Sequence, residues 1–231
     1  MVRLDKYISN ATDISRSEVK RIIKTGAVEI DDQVATNPAI KVTLEQKVSL
    51  DGSVISAYKH RYFMLNKPAG VVSVSKDQHN PTALSLVYEH RSDELQIAGR
   101  LDIDTTGLLL ITDDGNWNHR LTSPRSKCIK VYAVTLANPI EDNYPEQLSL
   151  GVQLDGEKHR CMPATMTQID SHCLTLAIGE GKYHQVKRMF VALGNHVVKL
   201  HRFRVGDITL DEDLAEGDYR ALSEAEVACI G

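Results

Sequence analysis

The chain has 231 residues, of which 42% are hydrophobic and 25% are charged, proportions that are ordinary for a globular protein. No apolar run approaches the roughly 20 residues that span a bilayer, and the N-terminus has no apolar signal-peptide core, so we expect neither a membrane protein nor a secreted one. The four cysteines lack metal-ligand spacing and indicate reduced thiols in a cytoplasmic protein.

Charge is unevenly distributed along the chain, although the formal net charge is only −4. Residues 1–24 carry six basic side chains against three acidic ones, and the stretches 115–140 and 182–204 carry basic residues and no acid. The last 27 residues compensate with eight acids against one arginine. This segregation predicts a basic face, whose usual partner is the phosphate of a nucleic acid. Solvated surface is the simpler interpretation of any single run.

Residues 1–58 are predicted to form a small unit of two helices followed by short strands. Ser15-Arg-Ser-Glu18 is a capping-box sequence that opens the second helix, and Gly26 follows its expected end. Strands are predicted at 27–30, 34–35 and 47–50. The outer face of the second helix is basic and carries Arg16, Lys20, Arg21 and Lys24. A unit this small buries little core, which favours a role in presenting a surface.

A linker is predicted at 52–60, and a larger domain at 59–231. The predicted strands of this domain cover 61–65, 71–74, 108–111, 131–136, 173–178 and 196–200. Its predicted helices cover 82–90, 116–122, 141–149, 183–193 and 223–229. Because the strands cluster instead of alternating with long helices, the fold class is α+β, with a mixed, mainly antiparallel sheet and flanking helices.

One run of the larger domain combines a polar loop with an apolar strand. The sequence lacks phosphate-loop, dinucleotide, zinc-protease and serine-hydrolase motifs. In the run 98–115, small and charged residues lead directly into the strand, which places Asp102 on a loop above a rigid sheet. Asp104, Thr105 and Thr106 can hydrogen-bond this loop onto itself. A purely structural Asx-type turn explains the same spacing equally well.

A second run, 179–190, is a glycine turn that feeds a helix. An apolar stripe at helical spacing is predicted to face the core and comprises Val186, Met189, Phe190 and Leu193. Lys187 and Arg188 then point away from that stripe, into a cleft or into solvent. From periodicity alone, a solvated helix face is the simpler interpretation.

Several runs carry a resemblance to known families. Arg3–Ile8, Ser15-Arg16 and Gly26–Asp32 resemble the S4 RNA-binding domain. The larger domain resembles, in order, the motifs of the pseudouridine synthases, in the branch of bacterial rRNA enzymes with an N-terminal S4 domain. The matching runs are Asn66–Gly70, Gly99–Asp102 with Asp104–Gly107, Lys130–Tyr132, Glu180–Met189 and Leu200–Arg202, with Gly206 and Leu210 following.

This resemblance implies an isomerase that converts uridine to pseudouridine after base flipping, with no cofactor and no metal. It implies that Asp102 is the catalytic carboxylate and that Tyr132 stacks on the uracil. Lys187 stands where many relatives have an arginine, so it supplies the positive charge that keeps Asp102 ionised without the two-pronged geometry of arginine. The residues predicted to bind RNA are Arg100, Arg188 and Arg202 in the larger domain and Arg16, Lys20, Arg21 and Lys24 in the small unit.

Within the branch, Lys130–Leu136 and Gly181–Arg188 are most similar to enzymes of small-subunit (16S) rRNA. That similarity implies uridine 516 as the target, 16S rRNA or a small-subunit assembly particle as the partner, no membrane partner and a monomeric protein. Two alternatives stay open: a synthase of the same branch that acts on 23S rRNA or tRNA, and a non-catalytic rRNA-binding assembly factor. The joint presence of Asp102, Tyr132 and Lys187 favours catalysis.

Overall fold

The computed structural model describes residues 1–43, 45–56 and 58–230, and the chain divides into two units, 1–60 and 61–231. The sequence prediction places this boundary between 58 and 59. Ala57, inside the predicted linker, lies outside the described residues. Among the helices of the described ranges, none has the length and apolar character needed to cross a membrane.

The small unit (residues 1–60) has the predicted two helices followed by short strands. Its elements are β1 (Val2–Arg3), α1 (Leu4–Ala11), α2 (Arg16–Lys24), β2 (Val28–Ile30), β3 (Gln33–Val34), β4 (Lys41–Val42), β5 (Val48–Leu50) and β6 (Ser53–Ile55). β1 pairs with β4, and the other four strands form an antiparallel sheet in the order β3-β2-β5-β6. The core lies between the helices and the strands and includes Leu4, Ile8, Val19, Ile23 and Val48.

The start of α2 agrees with the prediction, whereas the predicted linker begins too early. The Ser15 hydroxyl accepts a hydrogen bond from the Glu18 amide at 3.4 Å and so satisfies one unpaired group of the helix terminus. Asp51 and Gly52 have φ values of +49° and +77°, the left-handed conformations that a tight hairpin turn requires. This turn returns the chain as β6, so residues 53–55 belong to the small sheet.

A buried carboxylate connects the basic side chains of the small unit. The fully buried Asp5 accepts hydrogen bonds from Arg3 at 3.0 Å and from Arg16 at 3.0 Å, and Lys20 Nζ lies 3.9 Å from its Oδ2. Burial raises the pKa of Asp5, but the hydrogen bonds from Arg3 and Arg16 lower it by more, and the resulting pKa is about 2. Asp5 therefore stays ionised and orients two of the basic residues predicted to bind RNA.

Asp5→Asn is expected to lower the free energy of unfolding of the small unit by about 2 kcal/mol at pH 7. A folded-state pKa of about 2, below the ordinary 3.8, stabilises the fold above pH ~4, and this stabilisation is lost as the pH falls through ~2. Amide hydrogen exchange in α1 and α2 of the full chain measures it. The control is Asp32→Asn, because Asp32 pairs with Lys47 on the exposed surface. Equal exchange rates in wild type and Asp5→Asn at pH 7 would contradict the prediction.

The large unit (residues 61–231) is a mixed, mainly antiparallel sheet with helices packed on it, which confirms the predicted fold class. Its elements are β7 (Tyr62–Lys67), β8 (Gln96–Ala98), β9 (Thr106–Thr112), α3 (Gly115–Thr122), β10 (Lys130–Leu136), α4 (Tyr144–Ser149), β11 (Thr165–Gln168), β12 (Cys173–Ile178), α5 (Gln185–Ala192), β13 (Val197–Val205), β14 (Ile208–Thr209), β15 (Tyr219–Ala221) and α6 (Glu224–Ala228). The strand order is β11-β12-β10-β13-β9-β7-β15, with β14 on β13 and β8 on β9. β13 and β9 run parallel, and the other pairs are antiparallel.

β9 is apolar throughout because both of its faces are covered. Leu109 and Ile111 pack into the core that contains α4 and α5, whereas Leu108 and Leu110 pack against Trp117 of α3 on the other face. A strand that is buried on both sides shows a continuous apolar run instead of an alternating pattern. The loop that precedes β9 therefore stands on a rigid support.

Two predicted elements of the large unit are wrong. The predicted helix at 82–90 is a single 3-10 turn, Ala83–Leu86, because the chain becomes extended again at Val87 to bury that side chain. The predicted strand at 71–74 makes one isolated bridge, between Val72 and Thr82. Ser73 of this segment instead accepts a hydrogen bond from the Leu101 amide, in the loop that carries Asp102.

Candidate functional site

Asp102 lies on the loop of residues 99–105 between β8 and β9, called here the Asp102 loop. The neighbouring segment fixes this loop: the Gly70 amide donates to the Ile103 carbonyl at 2.8 Å, and the Leu101 amide donates to Ser73 Oγ at 3.1 Å. The Thr105 amide also donates to the Asp102 carbonyl at 3.1 Å. The loop is thus both self-bonded and anchored from outside.

Arg202 of β13 holds the Asp102 loop from beneath. Its side chain is buried, with 2% of the residue exposed, and its guanidinium donates to the carbonyls of Leu108 (2.9 Å), Gly99 (2.8 Å) and Arg100 (3.4 Å). β13 can approach this closely because Gly107 has φ +99° and a Cβ there would clash with the Arg202 carbonyl. The side chain therefore positions the loop, and because Arg202 also lines the cleft, its contact with RNA stays a prediction.

Two basic side chains at the start of α5 flank the Asp102 carboxylate. Lys187 Nζ lies 3.3 Å from Asp102 Oδ2 and 2.5 Å from Asp104 Oδ1. His184 Nε2 lies 3.5 Å from Asp102 Oδ1, on the other carboxylate oxygen. The structure therefore brings Asp102 and Lys187 together, and it adds His184, to which the sequence analysis assigned no role.

The contact between Lys187 and Asp104 favours the charged forms of these two residues. Burial lowers the pKa of Lys187, but the hydrogen bond to Asp104 and the negative charge of Asp102 raise it by more, so the net pKa lies above its ordinary value. The hydrogen bond from Lys187 lowers the pKa of Asp104. Lys187 is therefore a permanent cation at neutral pH.

Tyr132 shares a cleft of about 1060 Å³ with Asp102 and Lys187. Its ring is largely buried on β10, and its backbone faces Arg202 of β13 next to a register shift between Val131 and Tyr132. Such irregularities re-aim side chains beside functional sites. The volume lies slightly above the usual range for ligand pockets, about 300–1,000 Å³, so the cleft has room for a nucleotide.

Two further lysines, to which the sequence analysis assigned no role, belong to the surroundings of the site: Lys67 is close enough to Asp102 to feel its charge, and Lys130 lines the cleft. Lys67 is fully buried at the end of β7, and its ammonium donates to the carbonyls of Pro68 (2.8 Å) and Ile103 (3.4 Å). Burial lowers the pKa of Lys67 to about 8, against the opposing charges of Asp104 and Asp102. Burial also lowers the pKa of Lys130, which lines the cleft. In the sequence, the position of Lys67 at the end of the apolar run of β7 was the signal that could have singled it out.

The remaining residues predicted to bind RNA lie in different places. Arg100 is exposed at the cleft. Arg188 turns away from it, because its guanidinium donates to Glu157 (3.2 Å) and to the carbonyls of Tyr183 (3.0 Å) and Asp155 (2.6 Å). Those of the small unit are exposed on α2 and comprise Arg16, Lys20, Arg21 and Lys24.

Comparison with known proteins identifies relatives that span the whole chain. Residues 61–192 match the family model of RNA pseudouridylate synthases, and residues 2–48 match the S4 domain. The ribosomal small subunit pseudouridine synthases A of Yersinia pestis and of Escherichia coli (strain K12) are each 50% identical over 231 residues, with 100% and 99% of this chain and 98% and 100% of the relatives covered. A crystal structure of a pseudouridylate synthase is 42% identical, with a TM-score of 0.73 and full coverage of both chains.

Proposed function

The chain belongs to the RNA pseudouridylate synthase family, and from this membership we propose that it isomerises uridine 516 of small-subunit (16S) rRNA, free or in an assembly particle, to pseudouridine. The full-length similarity to small-subunit enzymes supports the choice of rRNA. The single observation that carries the catalytic proposal is the Asp102 carboxylate held between Lys187 and His184 in a nucleotide-sized cleft.

The reaction breaks the bond between N1 of uracil and C1′ of ribose and then joins C1′ to C5 of the same base. C5 loses a proton and N1 gains one, so the atoms balance without any cofactor. In this proposal the ionised Asp102 attacks either C6 of the uracil or C1′ of the sugar, and an electron-poor carbon is a suitable target for a carboxylate in both routes. In another version Asp102 instead acts at the sugar as a base: it removes a proton from C2′ as the N1–C1′ bond breaks, which gives a glycal, and the proton returns to C2′ when C1′ joins C5.

The uridine must leave the RNA stack to reach Asp102, which costs a few kcal/mol. Tyr132 stacks on the flipped uracil and lies beside the sugar, where it can transfer a proton. Arg100, exposed at the cleft, fills the gap that the base leaves in the RNA. The clustering of Asp102, Tyr132 and Lys187 in one cleft favours this enzymatic function over that of a non-catalytic assembly factor.

Mapping pseudouridines in rRNA from cells that lack this protein tests the proposal. The expected result is the loss of one pseudouridine, at position 516 of 16S rRNA. Expression of the wild-type chain should restore it, and expression of Asp102→Asn should not. Loss confined to 23S rRNA or tRNA would support the alternative target, and an unchanged pseudouridine map would contradict the enzymatic proposal.

Arg202→Met is expected to lower kcat by about tenfold or more with little change in KM. The substitution removes the donor shared by the carbonyls of Gly99 and Arg100 in the Asp102 loop and of Leu108 in β9, and an unsatisfied buried group such as the Leu108 carbonyl costs about 1–3 kcal/mol. If Arg202 instead bound a phosphate, its substitution would raise KM and weaken the dependence of KM on salt concentration.

Steady-state kinetics on the target RNA, with circular dichroism to verify folding, measure this effect. Arg202→Lys should recover part of the loss, since it restores a donor. The control is Arg204→Met, which removes an exposed arginine from the same strand. A folded Arg202→Met with wild-type kcat would show that the loop does not depend on this side chain.

A further inference from the structure

An aromatic pair lies at the edge of the cleft, next to Asp102. The rings of Tyr183 and His184 stack with centroids 3.8 Å apart and planes inclined by 21°. Both residues line the cleft, yet Tyr183 is 72% exposed. His184 covers one face of the Tyr183 ring, and the 72% exposure leaves most of the remaining surface of this residue accessible to a ligand.

The backbone that presents this pair is firmly fixed. His184 has φ +46°, a left-handed conformation that is unusual for a residue other than glycine. Side chains from α5 hold the turn: Gln185 accepts a hydrogen bond from the Lys182 amide at 2.8 Å, and Arg188 donates to the Tyr183 carbonyl at 3.0 Å. Strained residues persist where surrounding contacts over-determine them, and they concentrate at functional sites.

The surroundings of the pair match a nucleic-acid ligand. The stretch 182–204 contains basic residues and no acid, and its members Lys182 and Lys187 line the same cleft. Unpaired RNA bases stack on exposed aromatic rings, and every base offers the flat face that such stacking needs.

We propose that the open face of Tyr183 is a stacking subsite for a nucleobase adjacent to the target uridine. This inference rests on the proposed function, because it assumes that the uridine reaches Asp102. His184 separates the two positions: one ring face contacts Tyr183, while Nε2 lies 3.5 Å from Asp102. The rings of Tyr183 and His184 therefore separate a base on the open face of Tyr183 from Asp102. This is the position of a neighbouring nucleotide and not of the reacting one.

The test combines variants of Tyr183 with abasic sites in the RNA. Tyr183→Ala is expected to raise KM between about fivefold and about 100-fold, the range of a lost base–aromatic stack, with kcat changed less than about threefold. Tyr183→Phe should behave as wild type, because it keeps the ring. Tyr88→Ala is the matched control, since Tyr88 is exposed and does not line the cleft.

An abasic nucleotide is then placed at each of the three positions on either side of the uridine. At one of these positions the abasic nucleotide should raise the KM of the wild-type enzyme as much as Tyr183→Ala does. It should not raise the KM of Tyr183→Ala any further. Unchanged KM in Tyr183→Ala, or additive losses at every position, would overturn the subsite.

Kd values for the same RNAs separate the subsite proposal from the proposed function. If Tyr183→Ala and one abasic site are coupled in Kd but no pseudouridine forms, the proposed function alone is overturned. If pseudouridine forms but the substitution and the abasic sites are not coupled, the subsite alone is overturned.

Discussion

Asp102→Asn is expected to abolish isomerisation, lowering kcat by about a thousandfold or more, as the loss of an essential nucleophile does in other enzymes. The carboxamide has nearly the shape of the carboxylate but is neutral, so it cannot attack a carbon of the uridine. It also removes the negative charge that Lys187 and His184 contact. Affinity for RNA should change little, because it arises mainly from contacts with phosphates.

Single-turnover kinetics and a parallel measurement of Kd for the target RNA test this prediction. Asp104→Asn is the matched control, because Asp104 lies on the same loop and contacts the same lysine. The Asp104 side chain is 66% exposed, against 27% for Asp102, and it does not line the cleft, so this variant should keep most of its activity. A folded Asp102→Asn within tenfold of wild-type turnover would refute the assignment of Asp102.

Local features of this chain could be predicted from its sequence. The apolar run of β9 after a polar loop placed Asp102 above the sheet, and helical spacing after Gly181 directed Lys187 away from the core. Both inferences use residues within a few positions of one another, where periodicity and turn chemistry are informative. The segment 82–90 shows the limit of this reasoning, because a few apolar residues fit a 3-10 turn as well as a helix.

Contacts between distant residues could not be predicted in this way. Arg202 belongs to a basic run without acids, which is typical of a surface, yet its partners Gly99 and Leu108 are about a hundred positions earlier in the chain. Only the parallel pairing of β13 with β9 brings them together. His184 reaches Asp102 through a left-handed backbone conformation, which hydrophobic periodicity does not reveal.

Lys187→Met is expected to lose most of the activity, whereas Lys187→Arg should keep much of it. Lys187 Nζ lies 3.3 Å from Asp102 Oδ2. A charge-assisted contact at this distance orients the carboxylate and balances its negative charge. The kcat of Lys187→Met should therefore fall by about tenfold or more, while Lys187→Arg, which keeps the positive charge, should keep most of it.

Single-turnover kinetics of these variants test the prediction, with Lys199→Met as a control that removes an exposed lysine outside the cleft. Wild-type turnover in a folded Lys187→Met would reduce Lys187 to a partner of Asp104. Arg188, next in the chain, could not then replace it in this fold, because its guanidinium is bonded to Glu157 and Asp155. His184, which contacts the other oxygen of Asp102, would become the basic group to substitute next.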